Sequence, residues 1–224
     1  MKKTFAFIQY FFYLGFNWGW RIAAYVIRHE IKGESKYGID TTGADELRKT
    51  KAGGIDISHA TVYMPITYFQ LDEVFETLPA HSRDHFMDIG CGKGRALCIA
   101  AYNGFNKVTG IDFSKEFCDR ANKNLRITGK FFPPLKYSVV NEDAATSIIP
   151  ADVDCIFLFN PFDIIIMKKV VKNIMTSIQN KPRNINIVYA NPLYKQLFLE
   201  QNFIETHYSK RLNYLELSIL NYRP

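Results

Sequence analysis

A glycine-rich loop is the part of the sequence whose residue types and spacing best suit ligand chemistry. The apolar run HFMDI leads into Gly90-Cys91-Gly92-Lys93-Gly94, and the helical pattern ALCIAAY follows after one arginine. Glycines in such a turn let the backbone approach a ligand closely, and the start of a helix presents unpaired N–H groups. A merely tight strand-to-helix turn is the alternative interpretation. The order of strand, glycine turn and helix predicts a ligand site here.

The spacing of the glycines and the acid before them separate the nucleotide cofactors. The loop reads G-x-G-x-G, with Arg95 where the dinucleotide fingerprint G-x-G-x-x-G has its last glycine, and the Lys-Ser/Thr pair of a P-loop is missing. Asp88 stands at the end of the first strand, where it would repel a pyrophosphate. It suits a cationic ligand that carries an amino-acid ammonium group, and S-adenosylmethionine is such a ligand.

Acidic residues also follow the second and third predicted strands. The run KVTGID ends at Asp112, where a carboxylate can accept hydrogen bonds from both ribose hydroxyls of an adenosine. The third strand leads into the segment NEDA, in which Asp143 can accept from the adenine amino group and Ala144 can read the ring through its backbone. The alternatives are that Asp112 caps a helix and that Asp143 is an ordinary loop acid.

These segments resemble the class I, Rossmann-like S-adenosylmethionine-dependent methyltransferases, from about His85 to the C-terminus. DIGCGKG resembles the first motif of that family, GIDFS its ribose-binding acid and NEDAA its adenine-binding loop. The resemblance implies an α/β fold with a seven-stranded sheet in the order 3-2-1-4-5-7-6, the last strand antiparallel. It also implies S-adenosylmethionine as the cofactor. The cofactor contacts it implies are Asp88, Gly90, Cys91, Gly92, Gly94, Asp112, Phe113, Asp143, Ala144 and Asn160.

The fourth predicted strand, DCIFLFNPF, ends where ligands of open α/β sheets bind. Its end resembles a shortened form of the [DN]-P-P-[YFW] tetrapeptide of enzymes that methylate amino groups, with Phe162 in place of the second proline and Asp163 at the aromatic position. This resemblance makes Asn160 the substrate-orienting acceptor, assisted by the carbonyl of Pro161. We therefore favour an amine-bearing acceptor, either a protein side chain or a small molecule.

Segments before the sheet also resemble parts of this family. YGIDTTG and HATVYMPITYFQLDEVF are similar to a bacterial subgroup whose substrate is generally unassigned. Tyr63 lies in a piece that closes over the cofactor in related enzymes, and Tyr63 and Tyr68 either line a methyl-transfer channel or simply pack a helix on the sheet.

Three other functions stay open at this stage. O-methylation of a small metabolite or glycan would need a general base, for which His59, Asp163 and His207 are the candidates. A nicotinamide-dependent oxidoreductase is disfavoured by the glycine spacing and by Asp88. A cofactor-binding scaffold without catalysis would explain the missing proline.

Composition limits the chain to one catalytic domain and few special partners. Its 224 residues suit one α/β domain with an N-terminal addition, which we divide into residues 1–57 and 58–224. The net charge of +6 is scattered, so a nucleic-acid substrate is permitted rather than indicated. Cys91, Cys98, Cys118 and Cys155 show no metal or disulfide spacing, which predicts reduced thiols in a cytoplasmic protein without a metal. Cys91 is expected to be exposed, because it lies within the glycine loop.

Residues 4–27 are largely apolar and aromatic, which predicts one helix or two helices broken near Gly15 to Gly19. The stripe predicted to be buried comprises Phe5, Ile8, Phe12, Gly15 or Phe16, Gly19, Ile22 and Val26. It can dock on the catalytic domain or a second subunit, or attach peripherally to a membrane through Trp18 and Trp20. Gln9, Asn17 and Arg21 disfavour a membrane-spanning helix. A polar linker or an ordered loop is predicted over Gly33 to Ile57.

The remaining pattern alternates between strands and helices, which is typical of a parallel sheet. Strands are predicted at His85 to Ile89, Lys107 to Ile111, Lys136 to Val140, Val153 to Phe159 and Asn184 to Ala190. Helices are predicted at Pro65 to Leu78, Arg95 to Asn103, Ser114 to Thr128, Ile164 to Gln179 and Leu193 to Gln201. The tail, Phe203 to Ser209 and Asn213 to Asn221, has too short a connection for a crossover helix and predicts an antiparallel hairpin.

Overall fold

A computed structural model describes residues 2–43, 65–79, 83–160, 162–212 and 215–224, without the side chains of Lys2 and Lys3. The helices are α1 (Lys2–Trp18), α2 (Trp20–Tyr37), α3 (Tyr68–Thr77), α4 (Arg95–Tyr102), α5 (Lys115–Thr128), α6 (Ile164–Asn180) and α7 (Gln196–Leu199). The strands are β1 (His85–Ile89), β2 (Lys107–Asp112), β3 (Lys136–Asn141), β4 (Cys155–Phe159), β5 (Ile185–Ala190), β6 (Ile204–Arg211) and β7 (Leu215–Tyr222).

The seven strands form one sheet in the order β3-β2-β1-β4-β5-β7-β6, which confirms the predicted order. Strands β1 to β5 pair in parallel, and β7 runs antiparallel to both β5 and β6. The predicted hairpin at the C-terminus is thereby confirmed. Because β1 is flanked by β2 and β4, the loops that follow these three strands meet at one edge of the sheet.

Helices cover the two faces of the sheet and divide the core into two layers. Side chains alternate across β1, so Phe86 lies in the core cluster that includes residues of α3, α4 and α5, whereas Met87 and Ile89 lie in the cluster that includes α6. All five residues of β1 are buried. The central strand therefore gives the loop that follows it a rigid base.

The N-terminal helices α1 and α2 fold back on each other at Gly19, whose φ of 96° ends the first helix. The predicted break is thus confirmed, but the predicted buried stripe is wrong for α1. Tyr10 and Leu14 pack against Ala23 and Val26 of α2. The side chains of Phe5, Ile8, Phe12 and Phe16, on another face of α1, are exposed. Among the described residues, no helix has both the length and the apolarity that a membrane span requires.

Helix α2 continues through Gly33, so the linker predicted to begin there starts later. A Cβ at Gly33 would overlap the ring of Tyr68, the first residue of α3. Glycine at this position thus allows α2 and α3 to approach each other closely. The helix ends at Gly38, which has a left-handed φ of 66° and donates its N–H to the carbonyl of Glu34. The later part of the predicted linker and the boundary between residues 57 and 58 lie outside the described residues.

Helix α7 is shorter than predicted and begins at Gln196 rather than at Leu193. The backbone forms tight turns before it, because the N–H of Leu193 donates to Asn191 and that of Lys195 to Pro192. The bounds of the other helices and strands from α3 onwards agree with the prediction to within about three residues.

Candidate active site

The glycine loop between β1 and α4 adopts a conformation that favours glycine at three positions. Gly90, Gly92 and Gly94 have φ values of 84°, 51° and 77°, a region that side chains with a Cβ rarely adopt. The carbonyl of Ile111 in β2 accepts hydrogen bonds from the N–H groups of Gly90 and Cys91, at 2.8 and 2.9 Å. The alternating glycines therefore shape the loop and hold it against the neighbouring strand.

Cys91 points into the core and not towards the surface of the loop, contrary to our expectation that it is exposed. Only 5% of the residue is exposed, and burial raises the pKa of its thiol well above the usual range. Gly110 of β2 makes the room, because a Cβ there would lie 2.8 Å from the sulfur of Cys91. Cys91 can therefore contact a ligand at this loop only through its backbone.

Asp112 joins the end of β2 to the glycine loop. Its carboxylate accepts hydrogen bonds from the N–H of Gly92 and the N–H of Ser114, both at 2.8 Å. Ser114, not Asp112, caps helix α5, so the alternative of a helix-capping acid is wrong. Burial raises the pKa of Asp112 to about 6, against the opposing effect of the two N–H donors. A carboxylate has about four lone-pair sites, so two remain for ligand hydroxyls.

Asp88 is a second buried acid at the same edge of the sheet. It lies in β1 beside Gly110 of β2 and Phe157 of β4, and 3% of it is exposed. Burial and the nearby charge of Asp112 raise its pKa well above the usual range. A cationic ligand here would offset this desolvation. The two acids therefore fit a ligand that brings a positive charge, as the ammonium and sulfonium groups of S-adenosylmethionine do.

The end of β3 lies beside the end of β2 through Asn141, for which the sequence predicted no role. Asn141 pairs with Asp112 in register, and its amide donates to the carbonyls of Asp112 and Phe113, at 3.0 and 2.7 Å. Phe113 is thus held between the second and third strands. An amide two residues before an expected adenine-binding acid was a clue in the sequence.

Asp143 shapes the turn after β3. Its side chain accepts from the N–H of Ala145 at 2.8 Å, and its carbonyl accepts from the hydroxyl of Ser147 at 3.0 Å. Ala144 is buried in the turn, and its carbonyl accepts from the amide of Asn173. Asp143 and Ala144 therefore lie at the same edge as Asp112.

A buried polar cluster joins α2 to the helix behind the glycine loop. The guanidinium of Arg95 donates to both oxygens of Glu30, at 2.7 and 2.6 Å, and to the hydroxyl of Thr41 at 2.8 Å. Lys93 donates to the carbonyl of Thr42 at 3.3 Å. The segment after α2 thus lies against the glycine loop. The sequence did not reveal this contact, because Arg95 stands out there only as the residue in place of the last glycine of the dinucleotide fingerprint.

Asn160 directly follows β4 and has a positive φ of 35°. The hydroxyl of Tyr189 in β5 lies 3.5 Å from its Oδ1, at the long limit of a hydrogen bond. Asn191 follows β5 at the matching position with a φ of 49°. Two asparagines with a left-handed backbone conformation therefore lie side by side at the ends of adjacent strands. Asparagine tolerates this backbone conformation better than most residues do.

Phe162 and Asp163, the last two residues of the NPFD segment, have structural roles. Phe162 is buried in the core layer with α6. The carboxylate of Asp163 accepts from the N–H groups of Ile165 and Ile166, at 2.9 and 3.1 Å, and so caps α6. Pro161 and Tyr63, which were predicted to act in catalysis, and His59, a candidate base for a hydroxyl acceptor, lie outside the described residues.

Two other candidates take part in packing contacts. The ring of Tyr68 is buried between the guanidinium of Arg95, 4.1 Å away, and the ring of Tyr37, 5.7 Å away. Tyr68 thus packs α3 and does not line an open channel. His207, in the edge strand β6, lies 3.1 Å from the carboxylate of Glu73 in α3.

The cysteines and the acids form no metal-binding group within the part of the chain that the structure describes. Cys91, Cys98, Cys118 and Cys155 are all buried thiols.

Comparison with known proteins gives a family match for part of the chain and a structural match for most of it. Residues 86–181 match the family model described as a methyltransferase domain. A search of curated proteins finds no match. Similar solved structures include StiE O-MT residues 961–1257, with a TM-score of 0.55 and 13% identity over 70% of this chain and 74% of that one. The apo S-adenosylmethionine-dependent methyltransferase SibL has a TM-score of 0.54 and 12% identity over 70% and 55% of the two chains.

A putative S-adenosylmethionine-dependent methyltransferase from Listeria monocytogenes has a TM-score of 0.52 and 14% identity over 68% of this chain and 96% of that one. At these identities the structural likeness shows the fold. The sheet order agrees with a Rossmann-like methyltransferase fold, and residues 86–181, which span the first four strands and α6, match the methyltransferase domain of the family model.

Proposed function

We propose that the chain transfers the methyl group of S-adenosylmethionine to a nitrogen of an amine-bearing acceptor, either a protein side chain or a small molecule. The proposal rests on the position of Asn160. Its side-chain oxygen is a hydrogen-bond acceptor at the end of β4, the strand beside β1 and its glycine loop. An N–H of the substrate needs such an acceptor to orient it. A neutral amine already has the lone pair that attacks the methyl carbon.

The described candidates for a general base support an amine over a hydroxyl acceptor. Asp163 caps α6 and His207 pairs with Glu73, so each already has a structural partner. A hydroxyl acceptor requires proton removal by a positioned base, whereas a neutral amine can react first and lose its proton afterwards. The geometry of these residues therefore favours transfer to nitrogen.

Each cofactor contact that we propose follows from the chemistry of its residue. Asp88 faces the ammonium group, the backbone of Gly90, Cys91, Gly92 and Gly94 lines the amino-acid part, and Asp112 accepts from the ribose hydroxyls. Phe113, Asp143 and Ala144 contact the adenine. The bound cofactor supplies a methyl group activated by a sulfonium. The chain aligns the acceptor for in-line displacement, the main contribution that a protein can make to such a step.

Asn160 has the substrate-orienting role in this proposal, with the carbonyl of Pro161 assisting it and Tyr63 beside the transfer channel. Tyr189 acts as a positioning residue for Asn160. The backbone N–H of Tyr194 donates a hydrogen bond to the hydroxyl oxygen of Tyr189. The hydroxyl proton of Tyr189 can therefore be donated to Asn160 Oδ1. The acceptor oxygen is thereby held at the edge of the sheet.

The proposal is tested by incubating the purified chain with a pool of small metabolites and basic peptides and with S-adenosylmethionine that carries a deuterated methyl group. Mass spectrometry then locates the label, and fragmentation distinguishes an N-methyl from an O-methyl product. We expect N-methyl products. O-methyl products would overturn the choice of acceptor. Cofactor binding without transfer to any compound in the pool would favour the scaffold alternative.

Variants of Asn160 test its role without straining the backbone. Asn160→Gly removes the acceptor but accepts a positive φ, and Asn160→Asp keeps an acceptor oxygen of similar shape. We expect transfer to fall by roughly 100-fold in the glycine variant, a typical effect of losing a substrate-orienting contact. The aspartate variant should keep most of the activity. Both variants should still bind the cofactor, because the proposed contacts of Asp88, the glycine loop and Asp112 remain, although the glycine variant also loses the implied cofactor contact of Asn160. Equal activity of the glycine variant and the parent would remove Asn160 from the mechanism.

A further inference from the structure

The hairpin of α1 and α2 has a large exposed apolar surface. The six exposed large apolar side chains of this hairpin are between 48% and 78% exposed. The surfaces of soluble proteins seldom expose contiguous apolar patches of this kind. A groove of about 560 Å³ lies between the helices, and all of its lining side chains except Thr4 are apolar. We call this surface the aromatic face; it comprises Phe5, Ile8, Phe12, Phe16, Trp20 and Ile31.

Three exposed rings at the turn of the hairpin pack against one another. The ring centroids of Phe12 and Phe16 are 6.3 Å apart, and that of Trp20 lies 6.0 Å from Phe12 and 5.2 Å from Phe16. Trp20 also covers Gly15, where a Cβ would overlap its ring. The rings are therefore exposed yet held in place, so little side-chain entropy is lost when another surface covers them.

The exposed charges of residues 4–37 are all positive. Arg21, Arg28, Lys32 and Lys36 are exposed, and Lys36 lies 3.8 Å from Asp72 of α3. The two acids of this segment, Glu30 and Glu34, are 1% and 2% exposed, and they bond to Arg95 and to the backbone of Thr41 and Thr42. The hairpin thus presents positive charge without exposed negative charge of its own.

The positive charges run beside the aromatic face. Arg21, Arg28 and Lys32 follow Trp20, Ile27 and Ile31 by one residue each. Residues at these intervals form a stripe along a helix, and a shift of one residue turns that stripe by about 100°. A basic stripe therefore flanks an apolar stripe along α2, the arrangement of helices that lie in a membrane interface.

We propose that the aromatic face and the basic stripe dock the enzyme on an anionic lipid surface, with α1 and α2 lying in the plane of the headgroups. Phospholipid headgroups supply the negative charge that the hairpin lacks, and the acyl boundary receives the rings of Phe12, Phe16 and Trp20. A second copy of the chain fits less well, because two apposed hairpins would bring their basic stripes together without exposed acids to pair with them.

The test uses the full chain with vesicles of phosphatidylcholine alone and vesicles of equal parts phosphatidylcholine and phosphatidylglycerol. Both tryptophans of the chain, Trp18 and Trp20, lie in the hairpin, so tryptophan fluorescence reports on this segment alone. We expect sedimentation with the anionic vesicles, a blue shift of the emission and quenching by lipids brominated on their acyl chains. High salt should weaken the binding, because exposed charges are screened.

Two sets of variants separate the two parts of the surface. Arg21→Gln, Arg28→Gln and Lys32→Gln together should lower the partition coefficient by roughly 100-fold, at about fivefold for each lost charge near an anionic surface. Phe16→Ser should reduce both binding and quenching without loss of folding, because Phe16 is 78% exposed. The matched control is Lys168→Gln, Lys169→Gln and Lys172→Gln on exposed positions of α6, which removes the same charge.

Each other outcome contradicts the proposal. If the α6 control loses as much vesicle binding as the α2 variant, the binding depends on the net charge of the chain and not on the basic stripe of α2. Binding to vesicles without quenching would show that the rings stay in water. A concentration-dependent dimer in analytical ultracentrifugation that Phe16→Ser abolishes, with no vesicle binding, would assign the face to a second copy.

Discussion

Arg95 and Glu30 form a bidentate ion pair that is buried between the N-terminal hairpin and the first turn of α4. The two hydrogen bonds are 2.7 and 2.6 Å long, and the exposed fractions of the two residues are 3% and 1%. The same guanidinium donates to Thr41 and to the carbonyl of Ile66. The residue that opens the helix behind the cofactor loop is thus held by a helix outside the matched methyltransferase domain.

Glu30→Ala should therefore destabilise the protein strongly. Removing one partner of a buried ion pair leaves a desolvated charge and costs about 3–5 kcal/mol. Urea unfolding measures this change. The control is Lys36→Ala, which breaks the exposed pair with Asp72 and should cost less than about 1 kcal/mol.

The double variant Glu30→Leu with Arg95→Met sharpens the test. It replaces both charges by apolar side chains and should lose less stability than Glu30→Ala, since no unpaired charge remains. A loss of stability in Glu30→Ala no larger than that of Lys36→Ala would contradict the structural role of the pair.

The pair also shows why the sequence could predict the sheet better than its N-terminal cover. Strand periodicity and the loop after β1 are local patterns, so the elements and the acids at their ends could be predicted from short segments. Glu30 and Arg95 are 65 positions apart, and each looks like an ordinary exposed residue of a helix. Only the packing of α2 against α4 makes them partners.

The same reason explains the errors about individual side chains. Cys91 was expected at the surface, but its orientation depends on Gly110 in the neighbouring strand. The stripe of Phe5, Ile8 and Phe12 has the helical period, yet a second face of α1, with Tyr10 and Leu14, has it too. The helical spacing of apolar residues indicates a helix, but it does not show which of two apolar faces of that helix is buried.

Cofactor binding should depend on pH through Asp112. The pKa of this carboxyl is raised to about 6 by burial, and only the ionised form keeps all its lone pairs for the ribose hydroxyls. Affinity for S-adenosylhomocysteine should therefore fall as the pH drops below about 6, by about tenfold per pH unit, the limit for one proton. Calorimetric titration over this range measures it.

Stability of the ligand-free protein should respond to Asp112 in the opposite direction. A folded-state pKa above the ordinary value of 3.8 means that the protonated form stabilises the fold. This contribution is fully present below pH 3.8 and is lost as the pH rises through about 6. In Asp112→Asn the part of each dependence that is centred near pH 6 should disappear, whereas Asp119→Asn, which changes an exposed acid of α5, should keep it. An unchanged pH profile of binding in Asp112→Asn would exclude this carboxyl.

Gly110→Ala should impair the cofactor loop from a position outside it. The added Cβ would lie 2.6 Å from Leu97 and 2.8 Å from the sulfur of Cys91, so the loop or α4 must move. Overpacking of this kind costs about 1–3 kcal/mol of stability, and we expect weaker cofactor binding with it. Thermal unfolding and calorimetry measure the two effects.

Gly129→Ala is the matched control for Gly110→Ala. Gly129 has an ordinary φ of −61°, and its new Cβ would lie 3.3 Å from the nearest atom, the carbonyl oxygen of Leu125. It should change stability by less than the Gly110 variant and leave cofactor binding as it is. Equal effects of the two substitutions would mean that the close approach of β2 to the loop is not required.

Asp163 offers the sharpest distinction between a structural and a catalytic carboxylate. It accepts from two N–H groups in the first turn of α6, so Asp163→Ala should cost about 1 kcal/mol, the usual effect of losing a cap. Asp163→Ser restores a capping oxygen but cannot act as a base. If Asp163 only caps the helix, the serine variant recovers both the melting temperature and the rate of methyl transfer. If the serine variant folds as the parent does but no longer transfers methyl groups, Asp163 takes part in the reaction, and the acceptor that we propose would have to be reconsidered in favour of a hydroxyl.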